Sequence, residues 1–169
     1  MTRPLDGVRV IDLSNMLMAP YTTQILGDMG ADVIKIEAPG GDPIRGIGPS
    51  RNAGMGAIYL NCNRSKRSIL LDLKQPEGLA TALDLLKDAD ILVYNRRPQV
   101  MARLGLSYET IAKVNPRIIY AGLFGYGQGG PYEKKPAFDD LIQGAVSIPW
   151  LSHMADGAEM AMKEVTDSG

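Results

Sequence analysis

The sequence has very little cysteine and histidine. It contains one residue of each, Cys62 and His153, among 169 residues. A single thiol cannot form an internal disulfide, which fits a reducing compartment, and no His/Cys cluster supports a metal site. A Ser-His-Asp triad would require His153, and no serine lies in the sequence context of a nucleophile elbow. We therefore interpret His153 as a surface residue and Cys62 as a structural thiol, and we expect no metal.

The sequence also lacks a strong net charge and long apolar runs. Its 18 basic and 19 acidic side chains give a net charge of −1, so no overall field favours nucleic acid or membrane partners. No stretch approaches the roughly 20 apolar residues of a membrane span. The start, "MTRPLDGVRVIDLS", has no apolar run of signal-peptide length. These features predict a soluble, cytoplasmic protein in which any anion site comes from local clusters.

Short apolar runs rich in β-branched residues alternate with stretches of helical spacing. The predicted strands are residues 7–13, 32–38, 67–73, 90–95 and 117–123. The predicted helices are one with Pro20 in its first turn that ends at Gly30, and then residues 76–87, 107–114 and 137–146. This alternation predicts a Rossmann-like α/β fold, a parallel sheet covered by helices.

Two parts of the chain give weaker patterns. Residues 39–63 are rich in Gly, Pro, Asn and Arg and predict a long loop with a short segment near residues 57–60. After residue 146 the pattern is ambiguous, with a short possible strand that ends near Val165.

Two groups of basic residues follow or bracket predicted strands. Four cations bracket the third strand: Arg64, Lys66, Arg67 and Lys74. Arg96 and Arg97 follow the fourth strand, and Arg103 comes soon after them. Ligands of open parallel sheets bind beyond the carboxyl ends of the strands, where Lys74 and Arg97 are expected. The pattern favours one site for a phosphate-containing ligand, and a solvated basic loop is the alternative.

The Gly-rich stretch "GYGQGG" (125–130) is a less specific signal. Its glycines do not have the Gly-x-Gly-x-x-Gly spacing, and it follows the fifth predicted strand rather than the first. The stretch after the first strand, "SNMLMAP", has no glycine, which argues against ordinary NAD binding. The Gly-rich stretch is either a flexible turn or a loop whose backbone lies close to a ligand.

Several blocks of the sequence, in order and at their spacings, resemble one known family. They include "LGDMGADVIKIEAPGGDPIR", "NRSKRSILLDLKQPEG", "RRPQVMARLGLSYETIAKVNPRIIY" and "GYGQGGPY". Through nearly all of its length the chain is similar to the amino-terminal part of a family III CoA-transferase. That group includes formyl-CoA and carnitine CoA-transferases and α-methylacyl-CoA racemase.

The resemblance implies an enzyme of acyl-CoA metabolism with a chain more than twice this long, which forms an interlocked homodimer. Residues 1–169 would then be a partial large domain that binds CoA, with the small domain and the carboxy-terminal return segment absent. The resemblance implies catalysis by Asp167, in "KEVTDSG". The implied CoA contacts are Leu17, Met18, Leu71, Asp72, Leu73, Lys74, Asn95, Arg96, Arg97, Arg103, Phe124 and Gly125.

The implied reaction moves CoA from an acyl-CoA donor to a carboxylic acid through a covalent intermediate on Asp167. Two alternatives remain open: an inactive, truncated remnant that still binds CoA, and a 2-methylacyl-CoA racemase. Phe138 stands where the racemase branch has a histidine, which disfavours the second. Leu17 and Ala38 stand where the formyl-CoA branch has a glutamine and an arginine, which disfavours oxalate or formate as a substrate.

Overall fold

The computed structural model describes residues 2–156, which divide into two units at residues 123 and 124. The first unit contains a five-stranded sheet whose neighbouring strands are all parallel. The order of the strands is β3-β2-β1-β4-β5. They are β1 Arg9–Leu13, β2 Asp32–Glu37, β3 Lys66–Leu70, β4 Ile91–Tyr94 and β5 Ile119–Gly122. The predicted Rossmann-like parallel sheet is confirmed.

The helices of the first unit connect these strands. They are α1 Met18–Asp28, α2 Ala57–Asn63, α3 Pro76–Lys87, α4 Pro98–Arg103 and α5 Tyr108–Val114, with a 3₁₀ turn at Pro43–Gly46. The second unit contains α6 Asp139–Ala145 and α7 Ile148–Asp156. Within residues 2–156, no helix is both long and apolar enough to cross a membrane.

Local sequence signals explain where several helices begin and end. Pro76 occupies the first turn of α3, where its missing N–H leaves no hydrogen bond unmade. The Ser107 side chain accepts a hydrogen bond from the Thr110 N–H and caps α5. After α1, Gly30 has a φ of +112°, a conformation that favours glycine, and the chain turns there into β2.

The two faces of the sheet are covered differently. On one face, Val10, Val33 and Val93 pack in a buried cluster with Ala19 of α1. On the other face, the Tyr120 hydroxyl donates to the Leu106 carbonyl just before α5. Large buried apolar side chains complete the core of the unit: Ile11, Leu13, Leu86, Leu92, Met101, Leu106 and Ile111.

The observed elements differ from the predicted ones in four places. β3 ends at Leu70 rather than residue 73, because a turn begins at Asp72. In this turn the Asp72 side chain accepts a hydrogen bond from the Lys74 N–H, and the Asp72 carbonyl accepts one from the Gln75 N–H. α2 occupies part of the predicted long loop, and α4 and α7 were not predicted. The possible strand near Val165 lies outside the described residues.

Candidate functional site

The strand order produces a topological switch point between β1 and β4. β2 and β3 lie on one side of β1, whereas β4 and β5 lie on the other. In open parallel sheets a crevice forms at such a point, beyond the carboxyl ends of the strands. Here the crevice is bordered by the segment after β1, residues 14–17, and the segment after β4, residues 95–97.

Side chains from other segments hold the backbone of residues 14–16. Lys35 Nζ donates to the Ser14 carbonyl at 2.8 Å, and Asp42 Oδ1 accepts from the Met16 N–H at 3.1 Å. Asn95 makes two hydrogen bonds to Asn15, one from its Nδ2 to the carbonyl at 2.8 Å and one to its Oδ1 from the N–H at 3.1 Å. The ends of β1 and β4 are therefore linked through Asn95.

α1 begins directly after this segment, at the same edge of the sheet. Leu17 occupies the cap position, and within residues 2–156 no side chain accepts a hydrogen bond from the N–H groups of the first turn. Unpaired N–H groups and the helix dipole favour an anion at this end of a helix. Leu17 and Met18 are more than half exposed, so apolar surface borders this position.

The segment after β3 has a compact turn that presents Lys74. Asp72 forms the turn by accepting from the Lys74 N–H with its side chain and from the Gln75 N–H with its carbonyl. α3 lies so close that a Cβ on Gly78 would be 2.2 Å from the Asp72 carbonyl oxygen. The Lys74 side chain is exposed and makes no ion pair within the described residues.

Arg96 and Arg97 follow β4 directly, at the carboxyl edge of the sheet, as Lys74 does after β3. Arg97 caps α4 with its backbone, and Arg103 lies exposed in the last turn of α4. Arg96 is half-buried, and its Nε makes no hydrogen bond within residues 2–156. β3 and β4 are three strand spacings apart, about 14 Å, so a ligand that contacts both strand ends must be extended.

The prediction that Arg64, Lys66 and Arg67 belong to the same phosphate site is wrong. These residues precede or begin β3, so they lie toward the opposite end of that strand from Lys74. Each is also held in an ion pair with an aspartate. The pairs are Arg64–Asp28 at 2.7 Å, Lys66–Asp12 at 2.8 Å and Arg67–Asp32 at 2.6 Å.

Sequence reasoning missed a buried layer of charged side chains on the α1 face of the sheet. Asp12 on β1 and Lys35 on β2 are paired in register, and both are fully buried. Burial raises the pKa of the Asp12 carboxyl, but the charges of Lys35 and Lys66 outweigh it and hold that pKa below its ordinary value. The available signal was a charged residue inside each buried strand, in "VIDL" and "VIKIE".

Glu37, at the end of β2, continues this layer. Its carboxylate accepts hydrogen bonds from Arg45, Ser68 and the Asp42 N–H. Burial opposes the charge of Glu37, but these hydrogen bonds lower its pKa to about 2. The layer thus ties residues 42–45 to the sheet, on the same side as the segment that follows β1.

Leu71 and Leu73, in the segment after β3, are half-buried. The other predicted site residues lie in the second unit or outside the described residues. A Cβ on Gly125 would lie 2.1 Å from the Ala137 Cβ, so close packing accounts for a glycine at this position. Phe124 precedes it, and Phe138, at the cap of α6, is exposed. Asp167 lies outside the described residues. Within residues 2–156, no cluster of His, Cys, Asp and Glu could hold a metal ion.

A family model, curated relatives and a solved structure agree on one protein family for this chain. Residues 5–167 match the model of CoA-transferase family III. The chain is similar to acetyl-CoA:oxalate CoA-transferase of Acetobacter aceti, at 46% identity over 91% of the chain and 40% of the relative. It is similar to succinate–glutarate CoA-transferase of Agrobacterium fabrum, at 41% identity over 93% of the chain and 41% of the relative. A CAIB/BAIF family protein from Brucella suis has a similar structure, with a TM-score of 0.82 and 38% identity over 86% of the chain and 39% of that protein.

Proposed function

The chain belongs to CoA-transferase family III, and we propose that it serves the transfer of CoA from an acyl-CoA donor to a carboxylic acid. The observation that carries this proposal is the family match through residues 5–167, together with basic side chains at the switch-point edge of the sheet. The chain spans about two fifths of the length of the curated relatives it matches, so the activity is a proposal for the whole protein.

We propose that CoA lies along the carboxyl edge of the sheet. Lys74, Arg97 and Arg103 are suited to its phosphates, because charge-assisted hydrogen bonds to phosphate are short and strong. Leu17 and Met18 offer apolar surface beside the α1 amino terminus. The other residues that the family resemblance assigns to the site are Leu71, Asp72, Leu73, Asn95, Arg96, Phe124 and Gly125.

In the proposed reaction the Asp167 carboxylate attacks the thioester carbonyl of the donor. The C–S bond breaks, leaving a mixed anhydride on Asp167 and a CoA thiolate. The thiolate attacks the aspartyl carbonyl, which releases the donor's carboxylic acid as a carboxylate and forms an aspartyl-CoA thioester. The acceptor carboxylate then attacks this thioester, and the released thiolate attacks the acceptor carbonyl of the new anhydride. The products are acceptor-CoA and the restored Asp167 carboxylate.

The names of the two curated relatives suggest which substrates to test. The Acetobacter aceti relative is named for acetyl-CoA and oxalate, and the Agrobacterium fabrum relative for succinate and glutarate. We propose an acyl-CoA donor and a small carboxylic acid acceptor for this protein. Leu17 and Ala38 replace the polar residues that the formyl-CoA branch has at these positions, so oxalate is the weaker candidate.

A trapping experiment tests the covalent step. The protein is incubated with succinyl-CoA or acetyl-CoA and then with hydroxylamine, which converts an aspartyl thioester to an aspartyl hydroxamate and free CoA. Mass spectrometry of the peptide that contains Asp167 should detect the hydroxamate. Asp167→Asn is the control and should give none. A protein that binds CoA but yields no hydroxamate with either donor would contradict the transferase proposal and favour the inactive CoA-binding remnant.

A further inference from the structure

The backbone of residues 14–16 is held by side chains from three other segments of the chain. Lys35 comes from β2, Asp42 from the loop that follows β2, and Asn95 from the end of β4. Each side chain contacts a different one of the three consecutive residues. We call Lys35, Asp42 and Asn95 the loop clamp.

Two members of the loop clamp are buried charges that bind each other. The side chains of Lys35 and Asp42 are each 1% exposed, and their charged atoms are 3.0 Å apart. Burying such a pair carries a desolvation cost that is balanced only when further hydrogen bonds satisfy both groups. Here those hydrogen bonds include the Ser14 carbonyl and the Met16 N–H. Both members of the buried pair therefore form hydrogen bonds with the backbone of the segment after β1.

The segment is held in a conformation that it would not prefer alone. Met16 has a φ of +68°, in the left-handed region that non-glycine residues rarely adopt. Such a conformation persists when the surrounding contacts determine it. The three side chains of the loop clamp supply those contacts directly before the exposed Leu17 and Met18.

Asn95 uses both ends of its amide on Asn15. Its oxygen accepts from the Asn15 N–H and its nitrogen donates to the Asn15 carbonyl. This pairing extends the contact between β1 and β4 beyond their last register pair, Leu13 and Tyr94. Loss of Asn95 would release the segment on the side that borders the switch-point crevice.

We propose that Asn95 is a positioning residue of the CoA site, which acts through Asn15 rather than through its own side-chain contact with the ligand. The loop clamp fixes the amino terminus of α1 and the Leu17–Met18 surface relative to the segment that carries Arg96 and Arg97. This inference rests on the proposed CoA-binding function and adds a role for the Asn95 amide.

A second asparagine provides a matched control. Asn115 is buried, and its amide nitrogen donates to the carbonyls of Leu86 and Ala89. It ties the end of α3 to the end of α5 just before β4 begins, away from the carboxyl edge. Replacement of Asn115 by alanine removes hydrogen bonds between a side-chain amide and backbone groups, as Asn95→Ala does, without disturbing the loop clamp.

The test compares CoA affinity in Asn95→Ala and Asn115→Ala by isothermal titration calorimetry, with urea unfolding of each variant. Two lost hydrogen bonds predict that Asn95→Ala raises the Kd for CoA about tenfold. Asn115→Ala should lower the urea midpoint and leave the Kd close to that of the unaltered protein. If Asn95→Ala does not fold, Asn95→Gln retains the amide but displaces it by one methylene, and should still weaken CoA binding.

A second readout separates positioning from general destabilisation. In ¹⁵N-labelled, ligand-free protein, Asn95→Ala should shift the amide resonances of Asn15, Met16 and Leu17, whereas Asn115→Ala should leave them in place. An unchanged Kd in both Asn95 variants, or an equal loss in Asn115→Ala, would overturn the positioning role while the unaltered protein still binds CoA. Failure of the unaltered protein to bind CoA would overturn the proposed function and the role of the clamp with it.

Discussion

Basic side chains lie at both ends of the parallel sheet, but their surroundings differ. At the amino ends of the strands, Arg9 and Arg67 both contact Asp32, and Arg64 contacts Asp28. After the carboxyl ends of β3 and β4, Lys74 and the α4 residue Arg103 are exposed and make no ion pair within the described residues. Both groups of side chains are therefore basic, but the first group forms ion pairs within the chain and the second is exposed to solvent.

This difference shows why a run of basic residues is a poor predictor of a ligand site on its own. The stretch "NRSKR" is the densest basic cluster around β3, yet its three cations are used in ion pairs. Lys74, only seven residues after Arg67, lies beyond the other end of the strand. An anion site needs cations that are not already paired with a carboxylate of the chain. It also needs them beyond the carboxyl ends of the strands, where ligands of parallel sheets bind.

The largest expected effect is on stability and tests the buried ion pair between Lys66 and Asp12. Asp12→Asn would leave Lys66 buried without its carboxylate, and loss of one partner of a buried pair costs about 3–5 kcal/mol. Urea unfolding should measure this decrease in the free energy of unfolding. Asp84→Asn, which breaks the exposed pair with Lys87, is the control and should have little effect. Equal effects in the two variants would contradict the structural role of the Lys66 pair.

The pH dependence of stability tests another ion pair, between Glu37 at the end of β2 and Arg45. The pKa of Glu37 is lowered from 4.5 to about 2, so its contribution is present above pH 4.5 and is lost as the pH falls toward 2. We expect a loss on the order of 2 kcal/mol over this window, allowing for solvent screening at the half-buried Arg45. Glu37→Gln should be less stable at pH 6 and should have a flatter profile below pH 4.5. A mutant profile parallel to that of the unaltered protein would argue against Glu37 as the titrating group.

Gly78→Ala tests the segment that presents Lys74. Its Cβ would lie 2.2 Å from the Asp72 carbonyl oxygen, so the segment after β3 or the start of α3 must move. Overpacking of this kind costs about 1–2 kcal/mol, and we expect weaker CoA binding as well. Gly144→Ala in α6 is the control, because a Cβ there meets nothing within 4 Å. Unchanged CoA affinity in Gly78→Ala would indicate that this turn does not belong to the CoA site.

The smallest expected effect compares one cation from each end of β3. Lys74→Ala should weaken CoA binding about tenfold through the loss of a charged hydrogen bond, and the loss should shrink at high salt. Arg67→Ala removes an exposed partner of Asp32 and should leave CoA affinity unchanged. Titration calorimetry at low and high salt measures both. A greater loss of CoA affinity in Arg67→Ala than in Lys74→Ala would indicate that CoA binds at the amino ends of the strands instead.

Sequence patterns predicted the parallel sheet well because its strands are short runs rich in β-branched residues that alternate with stretches of helical spacing. They placed Lys74 and residues 95–97 at one edge, because parallel strands all end there. They gave only a short segment of no assigned type where α2 lies, and they missed α4. These helices are seven and six residues long and carry too little periodicity to distinguish from loops. The loop clamp was also out of reach, since Lys35, Asp42 and Asn95 are brought together only by strand order and register.

The central claim is that CoA binds at the carboxyl edge of the sheet. A titration of ¹⁵N-labelled protein with CoA, followed by amide chemical shifts, tests this claim most directly. The account predicts that the largest shift changes fall in residues 14–18, 71–74 and 95–97, with little change in residues 64–67. Changes concentrated in residues 64–67, with residues 14–18 and 95–97 unaffected, would contradict it.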